Sequence, residues 1–269
     1  MKIQSLIIVG ISVLLFSCSG GGSKGEEKEE ESTATGQTAT DETVPDNTLS
    51  QKEIEEGWKL LFDGENPGGW RGYGKDSFPE GWVIADGLLH CPGSGRGEAG
   101  GADRGDIIYG DSKFGNFHLK LEWKISEGGN SGIFYLGKES DEFSHIWKTA
   151  PEMQILDNEK HPDALAGKDG NRKAGSLYDL IPADPQNAKP AGEWNSVEIM
   201  VYKGSVWHKM NGETVLEYHL WTPEWEELVA DSKFPELNEN WADVPKEGYI
   251  GLQDHGDDVW FKNIKIREL

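Results

Sequence analysis

Hydrophobic and polar residues alternate strictly along several short stretches of the chain. The clearest is FHLKLEWKI at residues 117–125, in which every odd-numbered residue is apolar and every even-numbered residue is polar. Residues 196–204 repeat the pattern with Val197, Ile199 and Val201. Successive side chains of a β-strand point to opposite faces, so this period of two predicts strands that each bury one face.

Turn-forming residues separate these runs. Asn211-Gly212 joins two alternating runs within residues 205–220, and this dipeptide favours the left-handed backbone of a type I′ hairpin turn. Residues 249–255 and 259–269 are predicted to be the last two strands. Many short strands joined by turns indicate an all-β sandwich or barrel, and the length of the patterned region suits a jelly roll.

Helical patterns are sparse. Residues 49–62 carry Ser50 and, three residues later, Glu53, which is the spacing of a capping box at the start of a short helix. Residues 222–234 begin with threonine and proline and predict about two helical turns. The pattern as a whole therefore predicts two antiparallel sheets with one or two short helices.

The N-terminal part of the chain has a different character. The apolar run at residues 6–16 is too short to span a membrane as a helix, and its end close to Cys18 resembles a secretory signal with a bacterial lipobox. We expect residues 1–18 to be a lipoprotein signal and Cys18 to carry the lipid; an uncleaved anchor and plain secretion are the alternatives. Residues 19–50 are poor in large apolar groups, which predicts a disordered acidic tether before a folded body at residues 51–269.

Charge and cysteine content narrow the class of protein. The formal net charge is −22, and the body as well as the tether is acidic. Nucleic-acid binding requires a basic surface, so the expected partner is a neutral ligand or a cation and not a nucleic acid.

Cys91 is the one cysteine of the body, so the fold must depend on a core and not on disulfides, and we interpret Cys91 as a half-buried bystander.

Candidate chemistry first appears in PEMQILDN, residues 151–158. On a strand, Glu152 and Gln154 point to one face, while Met153 and Ile155 point to the other and supply core. A carboxylate and an amide side by side on an outer surface of a sandwich can face either water or a ligand.

Three other predicted strand segments present similar groups. They are Asn130 in residues 130–137, Tyr178 in residues 175–180, and Gln253 and His255 in residues 248–256. Solvated faces usually carry long charged side chains, whereas amides and carboxylates bind sugar hydroxyls and aromatic rings cover the C–H face of a sugar. We therefore expect these segments to converge on a saccharide site.

Each candidate also has a purely structural interpretation. Glu152 can be an ordinary exposed acid, and Gln154 and Gln253 can hydrogen-bond neighbouring loop backbones. His255 lies among aspartates that would raise its pKa and suit it to proton transfer, or it is simply a turn histidine.

A metal site is a further candidate. Glu152, Asp157 and His161 are close in sequence, and oxygen and imidazole ligands suit Ca, Mn or Zn. The spacing of these three residues matches no compact metal motif. The sequence implies no cofactor other than such a divalent ion.

Several sequence blocks together resemble the 3-keto-disaccharide hydrolase domain family, formerly a domain of unknown function. The blocks occur at residues 61–70, 82–90, 114–125, 128–137, 151–158, 175–180, 192–199, 210–215 and 248–266. The resemblance spans roughly residues 57–268 and implies a concanavalin A-type jelly roll. Many members are exported bacterial lipoproteins, which implies a lipid-anchored protein of the cell envelope, in the outer membrane or periplasm.

The resemblance also implies chemistry on 3-keto-glycosides. A ketone at C3 acidifies the hydrogen at C2, so a base can remove it and the C1 aglycone leaves by elimination, after which water adds back. Glu152 or His255 would be the base, and His161 would be the acid or, with Asp157, would hold a cation. Substrate hydroxyls would be positioned by Asn130, Gln154, Tyr178 and Gln253.

This interpretation predicts a carbohydrate substrate and a partner sugar 3-dehydrogenase that makes the ketone, with the lipid as the link to the membrane. The alternative is a carbohydrate-binding lipoprotein without catalysis, and a third class is a calcium-stiffened adhesion module.

Overall fold

The computed structural model describes residues 44–94 and 104–269. The predicted signal with Cys18 and residues 19–43 of the predicted tether lie outside the described residues. The strands are β1 Lys59–Leu60, β2 Trp70–Gly72, β3 Val83–Ala85, β4 Leu88–Cys91, β5 Ile107–Tyr109, β6 Phe117–Ile125, β7 Asn130–Gly137, β8 Glu152–Leu156, β9 Asn195–Tyr202, β10 Ser205–Met210, β11 Glu213–His219, β12 Tyr249–Leu252 and β13 Val259–Glu268. The α-helices are α1 Gln51–Glu55, α2 Pro223–Ala230 and α3 Phe234–Leu237, and 3₁₀ helices span Ile146–Lys148 and Pro162–Leu165.

The strands form two antiparallel sheets. The eight-stranded sheet has the order β11-β10-β9-β6-β13-β4-β3, and β1 also pairs with β13. The five-stranded sheet has the order β2-β5-β12-β7-β8. The predicted all-β jelly-roll sandwich, with two antiparallel sheets of the concanavalin A-like type and a few short helices, is confirmed.

The alternating runs contribute to one hydrophobic core shared by both sheets. Every odd residue of β6 is buried, and every even residue is partly exposed. Val197 and Ile199 of β9 and Ile133 and Tyr135 of β7 belong to the same core. Burying one such large side chain contributes about 1.5–3 kcal/mol, and a one-residue slip would expose a whole row, so the pattern fixes the strand register.

The five-stranded sheet is buried on its second face as well. All eight residues of β7 are buried, because Phe134 on the second face packs with Ile108, Ile146 and Ala150 in a separate apolar cluster. The segment that carries the 3₁₀ helix Ile146–Lys148 therefore covers part of this face.

The predicted local signals form as expected. The Ser50 hydroxyl accepts a hydrogen bond from the Glu53 amide at 3.2 Å, and the Glu53 carboxylate accepts one from the Ser50 amide at 3.0 Å, which completes the capping box of α1. Asn211 and Gly212 both have positive φ, 51° and 87°, as a type I′ turn requires. None of the helices in the described ranges is long and apolar enough to span a membrane.

The folded body begins earlier than the sequence suggests. Asn47 is 6% exposed, and it and Asn263 bind each other reciprocally, with each side-chain oxygen accepting from the other's backbone amide at 2.6 and 2.8 Å. The Asn47 side chain also donates to the Gly87 carbonyl at 2.8 Å. Residues 44–50, which the sequence assigns to the tether, are therefore part of the body.

Two local predictions are corrected. Residues 175–180 form turns with isolated bridges at Leu177 and not a strand, because Asp179 has a positive φ of 60° and the backbone turns back on itself. Cys91 is fully buried in β4 and not half-buried, and burial raises the pKa of its thiol far above the ordinary value. Such a thiol is inert as a nucleophile.

Candidate active site

A pocket of about 230 Å³ lies on the second face of the five-stranded sheet, where the end of β12, the start of β7 and β8 come together. Its lining residues are Asn130, Trp147, Glu152, Gln154, Tyr178, Lys233, Phe234, Leu237, Gln253 and His255. Ligand pockets usually have about 300–1,000 Å³, so this one suits a small ligand such as a single sugar ring. Six of the predicted site residues thus meet in one place.

Strand register explains why residues distant in sequence meet. Gly132 of β7 is the direct partner of Gln154 of β8, and on its other side its carbonyl accepts from the Gln253 amide at 3.0 Å. Side chains opposite one another on adjacent strands share a face. The segments that carry Gln253, Asn130 and Gln154 therefore present their side chains to one surface.

Glu152 is buried against the backbone of the neighbouring strand. Glu152 belongs to β8 and is 7% exposed. Its carboxylate lies over Gly132 of β7. A Cβ added to Gly132 would overlap the Glu152 carboxylate. Glycine at position 132 thus makes the space that the carboxylate occupies, and the interpretation of Glu152 as an exposed acid is wrong.

Three amides in the pocket have polar atoms without a protein partner. Both side-chain atoms of Gln154, the Oε1 of Gln253 and the Oδ1 of Asn130 are buried and make no hydrogen bond to any residue in the described ranges. Leaving a buried polar group unsatisfied costs about 1–3 kcal/mol. The structural interpretation of Gln154 as a satisfied loop anchor is therefore wrong, and these atoms are available to a ligand.

Tyr178 reaches the pocket from the edge of the sheet. Its amide donates to the Glu152 carbonyl at 3.0 Å, so the turn that carries it continues the sheet beyond β8. The phenol donates to Asp163 at 3.1 Å and accepts from the Lys233 ammonium at 3.2 Å. Burial, with Glu152 and Asp163 nearby, raises the pKa of Tyr178, so the phenol remains protonated and can donate.

An apolar wall forms part of the pocket lining. Trp147, Phe234 and Leu237 form it, and the sequence interpretation did not include them. The Trp241 ring stacks on Phe234 with centroids 4.0 Å apart, and its indole donates to the Trp147 carbonyl at 3.0 Å. This contact fastens α3 to the loop of the first 3₁₀ helix and closes the wall.

His255 and His161 are neighbours, but only His255 lines the pocket. Their ring centroids are 6.1 Å apart. The Nδ1 of His161 accepts from the Asp163 amide at 3.1 Å, and burial is the main cause that lowers the pKa of His161. The geometry therefore does not favour the prediction that His161 contacts the substrate as the acid.

Asp157 is occupied elsewhere. It is 4% exposed, and its carboxylate accepts from the backbone amides of Gly128, Glu159 and Lys160 at 2.7, 3.0 and 3.3 Å. It organises the turn after β8, and the predicted cluster of Glu152, Asp157 and His161 does not form. The structure instead groups the ligand atoms of His161, His255 and Asp257 within 4.8 Å of one another.

The acids around His255 have separate roles. Asp254 is buried and binds Arg104 at 3.2 Å, and Asp258 binds His90 at 2.9 Å. Asp257 is the one that faces His255, with its Oδ2 3.9 Å from Nδ1. The sequence interpretation, which treated the three aspartates as one environment for His255, is corrected accordingly.

The arrangement suits a neutral sugar-like ligand. Amides, a phenol and an imidazole supply hydrogen bonds, and the apolar wall can cover a C–H face. Glu152 is the single carboxylate among the lining residues that the structure describes. Ordinary glycosidases use two carboxylates on either side of the scissile bond, so this pocket lacks the usual pair.

Comparison with known proteins places this pocket in a family. The model of the 3-keto-alpha-glucoside-1,2-lyase-like domain matches residues 57–267. A Bacteroides thetaiotaomicron protein named 3-keto-disaccharide hydrolase is 49% identical over 275 residues, covering 95% of this chain and 94% of that protein.

Solved structures agree. A provisionally named glycosyl hydrolase from Parabacteroides distasonis is 29% identical with a TM-score of 0.73, covering 84% of this chain and 100% of that chain. A second from the same organism is 28% identical with a TM-score of 0.58, covering 79% and 99%. The resemblance seen in the sequence blocks is confirmed, and the chain belongs to the 3-keto-alpha-glucoside-1,2-lyase-like domain family.

Proposed function

We propose that this protein is a carbohydrate hydrolase whose substrates are 3-keto-glycosides or 3-keto-disaccharides. One observation carries the proposal: a single pocket collects Glu152, His255 and amides whose buried polar atoms have no partner among the described residues. The family and the 49% identical relative named 3-keto-disaccharide hydrolase support the same substrate class.

The reaction that fits one pocket carboxylate is elimination followed by hydration. A base removes the proton from C2, which the C3 ketone acidifies, and the electron pair forms an enolate. The enolate then expels the aglycone from C1 with a C1–C2 double bond and a restored ketone, and the leaving oxygen takes a proton. Addition of water across C1–C2 gives the free keto-sugar, so the sum is hydrolysis without an oxocarbenium ion.

Two residues remain candidates for the base at C2. Glu152 is fixed over Gly132 at the pocket floor, and His255 lines the pocket beside Asn130, whose amide nitrogen is 3.4 Å from its Nε2. A carboxylate and an imidazole can both accept a carbon-bound proton when held in place. We assign the role to Glu152 first, because its position at the floor is set by β8 and Gly132.

Lys233, held in place by Tyr178, can stabilise the enolate. The ammonium donates to the phenol oxygen at 3.2 Å while the phenol donates to Asp163, and the remaining ammonium protons can donate to developing negative charge. Gln154 and Gln253 then orient the remaining hydroxyls. The His161 ring packs edge-on against the ring of His255 and does not line the pocket, so we assign it no direct contact with the substrate.

The location and supply of substrate complete the proposal. The apolar run at residues 6–16 before Cys18 supports export and lipid attachment at Cys18, in the outer membrane or periplasm. A C3 ketone must be installed by an oxidation, so a sugar 3-dehydrogenase is the class of partner enzyme that supplies the substrate.

The first experiment compares a chromogenic 3-keto-glucoside with its unoxidised glucoside. We expect aglycone release from the keto-sugar alone, with a primary isotope effect when C2 carries deuterium. A general base contributes about 10²–10⁴-fold, so Glu152→Gln should lower kcat/KM by at least about 100-fold. Steady-state absorbance assays measure all three quantities.

The matched control is Glu217→Gln, since Glu217 is an exposed residue of β11 in the other sheet. Equal cleavage of both sugars, or wild-type turnover in both the Glu152 and a His255→Gln variant, would overturn the proposed reaction. Sugar binding without turnover would establish the carbohydrate-binding alternative.

A further inference from the structure

We propose that Arg104 and Asp254 are positioning residues for the pocket. They hold the turn whose residues Gln253 and His255 line the pocket, whereas Asp254 between them does not line it. The Asp254 side chain is fully buried, with 0% of it exposed, and it binds Arg104. Asp254 can therefore affect a ligand through its two neighbours and not by direct contact.

The ion pair fixes the Asp254 carboxylate in one orientation. The Nε and Nη2 of Arg104 donate to its two oxygens, each at 3.2 Å. A bidentate pair of this kind sets the plane of the carboxylate as well as its distance. The Arg104 side chain is 22% exposed, so salt screens this pair less than it screens a surface ion pair.

Backbone amides complete the environment of the carboxylate. The Gly105 amide donates to Oδ2 at 3.0 Å, and the Gly256 amide donates to Oδ1 at 3.1 Å. Arg104 also donates to the Pro92 carbonyl. Asp254 thus joins the turn after β12 to the segment that precedes β5, and Arg104 joins both to the chain just after β4.

The turn at residues 253–258 needs such an anchor. It connects β12 to β13 and is not itself a strand. Its first amide donates to the β7 backbone at 3.0 Å, and near its far end Asp257 accepts from the Asn130 amide at 3.0 Å. Asp254 is held between these two points, directly beside both pocket side chains. A displaced Asp254 carboxylate would therefore move one or both of them.

Arg104→Lys is the informative substitution. Lysine keeps the positive charge but is a point donor that does not reproduce the planar fork of a bidentate pair. Arg71→Lys is the matched control, because Arg71 forms a comparable bidentate pair with Glu139, at 2.7 and 2.8 Å, and neither residue lines the pocket. Asp254→Asn, which keeps the size of the side chain and removes its charge, is the second variant.

The first measurement is the NMR signal of the His255 imidazole Cε1–H in the full-length protein without ligand, assigned by its loss in His255→Gln. We expect this signal to shift or split in Arg104→Lys and in Asp254→Asn, because the surroundings of the ring change. It should keep its wild-type position in Arg71→Lys. The signal of His219, an exposed histidine of β11, should stay unchanged in every variant.

The second measurement is kcat/KM for the chromogenic 3-keto-glucoside, and it rests on the proposed function. A misplacement of about 1 Å can cost about 100-fold, so Arg104→Lys should lower kcat/KM at least about tenfold. The loss should shrink to less than about twofold when Gln253 and His255 are both already alanine, because residues that act through one another have non-additive effects. In the Gln154→Leu background the full loss should persist, since Gln154 belongs to β8 and not to this turn.

Three outcomes would overturn the proposal: a His255 signal unmoved by both substitutions, a kinetic loss that is as large without Gln253 and His255 as with them, or a failure of both variants to fold, which would make the pair a requirement of the fold. The ligand-free signal separates this proposal from the proposed function. Wild-type turnover combined with an unmoved His255 signal in the variants retains the function and removes the positioning role. A shifted signal in a protein without turnover retains the positioning role and removes the function.

Discussion

At the scale of single residues, Gln154 is the clearest sign that the pocket is built for a ligand. It is 1% exposed, and neither of its amide atoms has a partner among the described residues. A side chain selected for stability alone would be apolar at this position, since a buried amide without a partner costs about 1–3 kcal/mol. The fold therefore carries a cost here that hydrogen bonds to a ligand can offset.

This argument predicts opposite effects of Gln154→Leu on stability and on turnover. An apolar side chain of similar size removes an unsatisfied amide, so we expect the free energy of unfolding to stay the same or rise by up to about 2 kcal/mol. The kcat/KM for a 3-keto-glucoside should fall at least about tenfold, because a buried hydrogen bond to the sugar is lost. Urea denaturation and steady-state kinetics measure the two effects.

Asn195→Leu is the contrasting variant. Asn195 is equally buried, but its Oδ1 accepts from the Lys189 amide at 2.8 Å and from Asn211 at 2.9 Å. Its removal should destabilise the protein by about 1–3 kcal/mol. A Gln154→Leu variant destabilised as much as Asn195→Leu would show that the Gln154 amide has a structural role.

The sequence revealed Glu152, Gln154 and Gln253 because period-two strands fix which side chains share a face. It did not reveal Lys233 or Leu237, because their place on the pocket wall depends on how α3 docks, and no local spacing encodes that contact. Asp157 was misassigned for a related reason: closeness in sequence to His161 does not determine which backbone amides a carboxylate accepts from.

At the scale of elements, the outer face of β6 and β9 carries a cross-strand ion pair. The Glu198 carboxylate lies 2.6 Å from the Nε2 of His118 and 3.6 Å from the Nζ of Lys120. The hydrogen bond from His118 is the main cause that lowers the pKa of Glu198 to about 2. The ionised form therefore stabilises the pairing of the two strands.

Glu198→Gln should make stability less dependent on acid. The folded-state pKa of Glu198 lies below its ordinary value of 4.5, so its stabilising effect is present above about pH 4.5 and is lost as the pH falls through about 2. We expect the difference in unfolding free energy between wild type and variant to be largest near neutral pH and to shrink below about pH 4.5. Urea titrations across this range measure it, and an unchanged difference down to about pH 2 would contradict the assignment.

Strands were easier to predict than the connections between them. β6 and β9 match the alternating runs almost residue for residue, because a long regular pattern has one period to satisfy. Residues 175–180 also alternate, yet the backbone turns at Asp179, which has a positive φ. These residues form backbone hydrogen bonds with β8 without becoming a strand. A pattern of six residues is too short to distinguish these cases.

At the scale of the whole molecule, residues 44–50 fasten the start of the body to its last strand. Asn47 and Asn263 both have positive φ, 56° and 55°, and exchange backbone and side-chain hydrogen bonds. Asp46 adds an ion pair to Lys262 at 2.8 Å. The composition of this segment resembles the tether before it, so the sequence alone gave no sign of the contact.

Asn47→Ala should destabilise the whole body. It leaves the Asn263 amide and the Gly87 carbonyl without their partners, and alanine is less favourable at positive φ, so we expect a loss of about 2–4 kcal/mol in unfolding free energy. Thermal and urea unfolding measure it. Thr48→Ala, at the exposed neighbouring position, should stay within about 0.5 kcal/mol; equal losses in both variants would mean that the segment matters only as a spacer.

The buried thiol of Cys91 has a practical consequence. Its Sγ lies in the interior of the eight-stranded sheet beside Arg104, so a thiol reagent reaches it only when β4 separates from its neighbours. With Cys18 replaced by serine, the rate of labelling at Cys91 measures how often the native sheet opens. Comparing this labelling rate with and without a ligand in the pocket would show whether ligand binding slows the opening of the sheet.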